Sequence, residues 1–127
     1  MYYLDTSALV KLVFAEDESA ALDTFVADRD LAVSALSRVE LRRVALKVSP
    51  TQLPSCEELL ASCFEVALSP ALLERAGTAQ PASLRSLDAI HLTAALTLGD
   101  DCEAFVAYDD RLLAAAEHAG LAVVRPR

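Results

Sequence analysis

Met1-Tyr2-Tyr3-Leu4-Asp5-Thr6-Ser7-Ala8-Leu9 opens the chain with an apolar run that stops on an acid followed by two hydroxyl side chains. Residues 2–4 have the β pattern and helical periodicity takes over from residue 7, so a strand turns directly into a helix. In an open parallel sheet that turn lies in the crevice beyond the carboxyl ends of the strands, where ligands bind. Asp5 is therefore a candidate site residue. Asp is equally a favoured helix N-cap, and taken alone the residue supports both readings. The usual central place of a first strand, and the ability of Thr6 and Ser7 to orient a carboxylate or a metal-bound water, add weight to the site.

Further β-type runs occur at residues 31–34, 64–68, 105–107 and 122–124. Helical stretches occupy 7–14, 19–28, 37–48, 53–63, 71–79, 86–98 and 110–119. Their alternation predicts an α/β fold, a three-layer α/β/α sandwich whose mostly parallel sheet is covered on both faces. A chain of 127 residues suffices for one core, so residues 1–127 are expected to form a single domain. Residues 88–98 carry few polar side chains, namely Asp88, His91, Thr93 and Thr97, which marks a helix buried nearly all round. An acid in its first turn is poorly solvated and needs a partner.

Three later acids, Glu40, Asp88 and Asp109, occupy positions that can converge with Asp5 on one crevice. Each also has an ordinary reading. Glu40 is close to Arg43 in a helical frame and suits a weak surface ion pair; it joins a site only if its helix start faces the crevice. Asp88 suits a dipole-complementing acid behind a Ser86 cap, although the burial of its helix favours a site. Of the adjacent pair Asp109 and Asp110, the first stands nearer the strand end and is assigned to the site, leaving Asp110 as a cap or a solvated charge. His91 sits among apolar neighbours and reads as a hydrogen-bonded core histidine, while His118 complements a helix C-terminus. Four carboxylates with few competing ligand types suit hard divalent cations and phosphoryl chemistry.

A formal net charge of −8 excludes a broad basic surface for nucleic acid. Arg38, Arg42, Arg43 and Lys47, concentrated around Glu40, are expected to supply a local basic patch instead. Hydrophobic residues make up 54% of the chain, enough to expect that some apolar surface meets a partner. No apolar run is long enough to span a membrane, and Asp5 interrupts the start in a way a signal peptide does not. Cys56, Cys63 and Cys102 form no even framework and read as reduced thiols of a cytoplasmic protein. The chain has no glycine-rich nucleotide loop, no G-x-S-x-G elbow and no Cys/His zinc cluster. Ser7 stands where a haloacid-dehalogenase-like phosphatase needs a second Asp, and Leu68-Ser69-Pro70 where a receiver domain needs its phosphoacceptor.

Leu4-Asp5-Thr6-Ser7-Ala8-Leu9-Val10-Lys11, Ser37-Arg38-Val39-Glu40-Leu41, Leu87-Asp88-Ala89-Ile90-His91-Leu92 and Tyr108-Asp109-Asp110-Arg111-Leu112, in that order, resemble PIN-domain proteins, and within them VapC-type toxins of toxin–antitoxin pairs. The resemblance runs from end to end. It implies a parallel five-stranded sheet with Asp5, Glu40, Asp88 and Asp109 gathered around Mg²⁺ or Mn²⁺. It further implies endoribonuclease activity by a metal-activated water, a cognate antitoxin whose tail crosses the site, and a homodimer. One position departs from the pattern: a Thr or Ser is common two residues before the last acid, and here Ala107 stands there, so that Asp110 is an alternative to Asp109. A reading from another class is a non-catalytic acidic module that binds a basic protein partner.

Overall fold

In the computed structural model, which describes residues 1–127, β1 (Tyr2–Leu4) lies at the centre of a five-stranded sheet. β2 (Leu31–Ser34) and β3 (Phe64–Val66) extend it on one side, β4 (Ala104–Val106) and β5 (Val123–Val124) on the other. The order is β3-β2-β1-β4-β5 and every neighbouring pair is parallel, with Tyr3 opposite Ala32 and Phe105.

The connections explain the layers. α1 (Thr6–Val13) and α2 (Ser19–Val26) join β1 to β2, and α3 (Ser37–Val48) and α4 (Leu53–Ser62) join β2 to β3. The chain then crosses back through α5 (Pro70–Gly77) and α6 (Ser86–Thr97) to β4, and α7 (Asp110–His118) leads to β5. Crossovers between parallel strands are right-handed, so reversing the direction of travel moves the helices to the opposite face. Two apolar clusters follow. Tyr3, Ala32, Val66 and Phe105 pack with Leu72, Leu92 and Leu112 of α5, α6 and α7. Leu4, Val33 and Val106 pack with Leu9, Leu22, Leu41 and Cys56 of α1 to α4. Adjacent strand residues thus serve opposite cores, as the two-residue period requires.

α6 is the buried helix that its composition predicts, with Ala89, His91, Leu92, Thr93, Ala94 and Ala95 all buried. The Thr93 hydroxyl is satisfied by donating to Ala89 O at 2.7 Å. Its first turn emerges, where Leu87 is 48% exposed, and so does Thr97 at its end. The 64–68 run shortens to β3 because Ser69 accepts from Leu72 N at 3.1 Å and Pro70 starts α5, a cap and an N-terminal proline that turn the backbone out of the sheet. The cysteines are free thiols, and no helix is long and apolar enough to cross a membrane.

Candidate active site

The crossovers from β1 and β4 leave in opposite directions, which opens a crevice at the carboxyl ends of these neighbouring strands. Asp5 ends β1, and Tyr108 and Asp109 follow β4 by two and three residues. Glu40 lies in the first turn of α3, just after β2, and Asp88 in the first turn of α6. The fold therefore brings four acids, from three crossovers and one cap, to one edge of the sheet. Their electrostatic coupling agrees: Asp88 feels Asp109 and Glu40, and Asp5 feels Asp88.

Asp5 is both cap and crevice residue. Its Oδ1 accepts from Ala8 N at 3.0 Å and from Ser7 Oγ at 2.6 Å, which orients the carboxylate. Nearly full burial pushes its pKa up, against the opposing help of Ser7, His91 and Ala8, and the Asp88 charge adds to the rise. The two hydrogen bonds use one oxygen. Arg125 Nε is the sole buried side-chain nitrogen or oxygen without a partner, so Asp5 Oδ2, which makes no hydrogen bond to the protein, reaches solvent.

Glu40 does not pair with Arg43 as a surface glutamate would. Its Oε1 accepts from Thr6 Oγ1 at 2.7 Å and lies 2.7 Å from His91 Nε2. His91 is 3% exposed and its Nδ1 meets the Tyr3 hydroxyl at 2.8 Å. Nε2–H is directed at the carboxylate, Nδ1 shares a hydrogen bond with the Tyr3 hydroxyl, and, since Thr6 donates to Glu40, the Ser37 hydroxyl donates to Thr6 Oγ1 at 2.9 Å. Every member of this network is satisfied. Burial alone would raise the pKa of Glu40, but the hydrogen bonds from His91 and Thr6 outweigh it and hold the carboxyl below its ordinary value. His91 is thus the core histidine expected from the sequence, and it also positions Glu40. Helical spacing cannot reveal that second role, because Glu40 and His91 lie 51 positions apart in the chain.

Asp88 makes no hydrogen bond to the protein, and Ser86 does not cap α6, whose N-cap is Arg85 without a side-chain bond. Partial burial and the neighbouring Asp109 raise its pKa, with Arg85 and His91 opposing. Asp109, not Asp110, caps α7, accepting from Leu112 N at 2.9 Å through Oδ1. Asp110 instead forms an ion pair with Arg125. Ala107 is fully buried, so no hydroxyl from that position helps Asp109. Tyr108 provides an anchor one residue later: its hydroxyl donates to Pro126 O at 2.8 Å and its ring lies 4.7 Å from Lys11 Nζ.

Two of the four cations expected as a basic patch on α3 are neutralised, while the exposed Arg43 and Lys47 enter no ion pair. Arg38 forms a two-pronged pair with Glu65 at 2.5 and 2.8 Å, and Arg42 does the same with Glu57 at 2.6 and 2.7 Å. The sequence could not display these pairs, since both glutamates come from distant elements. A concavity of about 1240 Å³ lies between the start of α6 and α7, and it includes Asp88 and Asp109.

The donor set fits a hard divalent cation in its chemistry. Glu40, Asp5 and Asp109 each commit one oxygen to the protein and leave the other free, and Asp88 leaves both. No three His, Cys, Asp or Glu side chains are grouped closely enough to hold a metal ion together, so a cation shared by these acids would be reached by some of them only through water or after they move.

The PIN domain family matches residues 2–118. Ribonuclease VapC35 of Mycobacterium tuberculosis is 44% identical over 131 residues, covering 99% of this chain and 97% of that protein. Ribonuclease VapC47 of the same species is 40% identical over 132 residues, with the same coverage. Among solved structures, Mycobacterium tuberculosis VapC20, described as a sarcin–ricin-loop-cleaving toxin, superposes with a TM-score of 0.78 at 15% identity over 99% of this chain and 100% of that one. A toxin–antitoxin complex from Klebsiella pneumoniae gives 0.76 at 21% identity over 100% and 98% of the respective chains. These two likenesses concern the fold. With the family matched along nearly its whole length and relatives of this identity end to end, the chain belongs to the PIN-domain family, among its VapC members.

Proposed function

We propose that this protein is an endoribonuclease, the toxin of a VapBC-type pair, and that Mg²⁺, with Mn²⁺ as a substitute, is held by Asp5, Glu40, Asp88 and Asp109. The observation that carries the reading is the pattern of free carboxylate oxygens: three acids are each oriented through one oxygen, a fourth is untethered, and all open at the switch point of the sheet. When bound, a divalent cation lowers the pKa of a coordinated water and offsets charge on the phosphate and leaving oxygen.

The chain's own contribution is orientation and charge. The network through Tyr3, His91 and Thr6 keeps Glu40 anionic and fixed. Asp5 is held in place by Ser7 and the start of α1. Asp88 and Asp109 border the groove and face the phosphate backbone of RNA lying there. The same acidic mouth would attract a basic antitoxin segment. Exposed Val39, Leu46 and Val48 on α3 offer apolar area to a second copy, in keeping with a homodimer. Reduced cysteines and an RNA substrate suit the cytoplasm.

The test is cleavage of total RNA and of transfer RNA by purified, antitoxin-free protein in Mg²⁺ or Mn²⁺. Wild type is expected to cleave, and EDTA, Asp5→Asn and Asp88→Asn to abolish cleavage. Cleavage that persists in EDTA would remove the metal from the scheme. Absence of cleavage across all these RNAs, with a basic partner still bound, would favour the non-catalytic module.

A further inference from the structure

The acids account for chemistry but not for how a chain of net charge −8 holds a polyanion. Where the cations are committed answers this. Lys11 is taken up by Glu16 and Glu18, Arg38 by Glu65, Arg42 by Glu57 and Arg125 by Asp110. Arg38 and Arg42 are held by both guanidinium prongs, the geometry in which an exposed ion pair persists. Either would have to abandon a carboxylate to reach phosphate, with no gain in charge neutralised.

Arg85 and Arg111 are placed differently. Both are exposed, neither enters an ion pair or a hydrogen bond, and both line the groove that contains Asp88 and Asp109. Arg85 precedes α6, and its charge is felt by Asp88 three residues on. Arg111 lies in the first turn of α7, two residues after Asp109. Pro81, Leu84 and Tyr108 add an apolar wall on which a ribose or base can rest. The volume of about 1240 Å³ exceeds the roughly 300–1,000 Å³ of small-molecule pockets. An extended strand suits it better than a small ligand.

We propose that Arg85 and Arg111 are the phosphate grip of this protein, holding backbone phosphates of single-stranded RNA in the groove next to the one presented to Asp88 and Asp109. The proposal rests on the ribonuclease reading and assigns substrate binding to these two groove-lining residues rather than to Arg38 and Arg42 of α3. A planar guanidinium accommodates phosphate through two parallel hydrogen bonds, which a lysine cannot reproduce.

The experiment measures binding of a fluorescein-labelled, mixed-sequence single-stranded RNA by anisotropy across a salt series in Mg²⁺. Every protein carries Asp5→Asn so that the probe is not consumed; asparagine retains the cap. Arg85→Ala and Arg111→Ala are each expected to weaken binding about tenfold, the strength of a charge-assisted hydrogen bond, and to flatten the salt dependence by about 0.7 in log–log slope. Arg85→Lys and Arg111→Lys should restore the slope but only part of the affinity. Arg38→Ala and Arg42→Ala, already neutralised, should change affinity less than about twofold. Equal weakening by the α3 pair, or unchanged binding in the Arg85 and Arg111 variants, overturns the proposal and leaves the nuclease reading standing. If protein without the Asp5 change cleaves no RNA and the Asp5→Asn protein binds none, the nuclease reading falls and takes this one with it.

Discussion

The first turns of α3 and α6 both carry an acid toward the crevice, and they treat it in opposite ways. Glu40 is bonded by Thr6 and His91 and held anionic; Asp88 has no protein partner, and partial burial together with neighbouring like charges raises its pKa. One acid is prepared before any ligand arrives, whereas the other is left in an unfavourable state that a cation would relieve. Asp88 is only partly buried, so water satisfies its two oxygens and a ligand that replaces that water meets no competing protein contact.

Asp88→Asn attacks the comparison hardest. Cleavage should fall by about a hundredfold or more, exceeding the loss from removing an outer partner of a metal ligand, while metal-free protein melts at a higher temperature because a repelled charge is gone. A lower melting temperature would mean that Asp88 is stabilised by a contact absent from the structure. His91→Ala should cut cleavage about ten- to a hundredfold by loosening Glu40. His91→Gln, which retains a donor near Glu40, should recover part of the activity; equal loss in both, with unchanged melting, would deny His91 its positioning role. Tyr3→Phe removes the hydroxyl behind His91 and should cost about 1–3 kcal/mol in urea unfolding.

Binding also sharpens the contrast. Divalent cation at a hundred times its dissociation constant should stabilise the wild type by about 2.7 kcal/mol, and Asp88→Asn should lose more of that gain than Asp109→Asn, since Asp109 divides its oxygens between cap and crevice. The smallest effect is the pH dependence of metal-free stability. Glu40 is depressed in the folded state, so its contribution is whole above the ordinary glutamate range and is lost as pH falls through the lowered value. Asp5 and Asp88 are raised, so the folded protein binds more protons and stability declines as pH climbs from the ordinary aspartate range through their raised values. Glu40→Gln should flatten the acid limb and Asp88→Asn the decline above it, both read by thermal melts across acidic pH.

Much of this was legible in the chain. The alternation of short β runs with helical stretches located all five strands, because one face of each must feed each core. Boundaries moved by one or two residues at several ends, and at Ser69 and Pro70 a cap explains the shift. Asp5 was legible for a similar reason, since a carboxylate at the end of a central strand has few places to go. Half of the basic patch expected on α3 is cancelled. Arg38 and Arg42 do sit near Glu40 in sequence, but Glu65 and Glu57 reach them from β3 and α4 and cancel their charge.

By itself the sequence determined the parallel α/β architecture and singled out four acids as candidates, because periodicity and strand-end chemistry are local properties of the chain. Only the tertiary structure decided which acid is pinned, which is left unpartnered and which arginines remain free. Those outcomes depend on partners 15 to 51 residues away, such as Glu57 for Arg42 and His91 for Glu40. Hydrogen bonds and ion pairs act over a few ångströms of space, and no spacing along the chain encodes which distant side chains folding will bring that close.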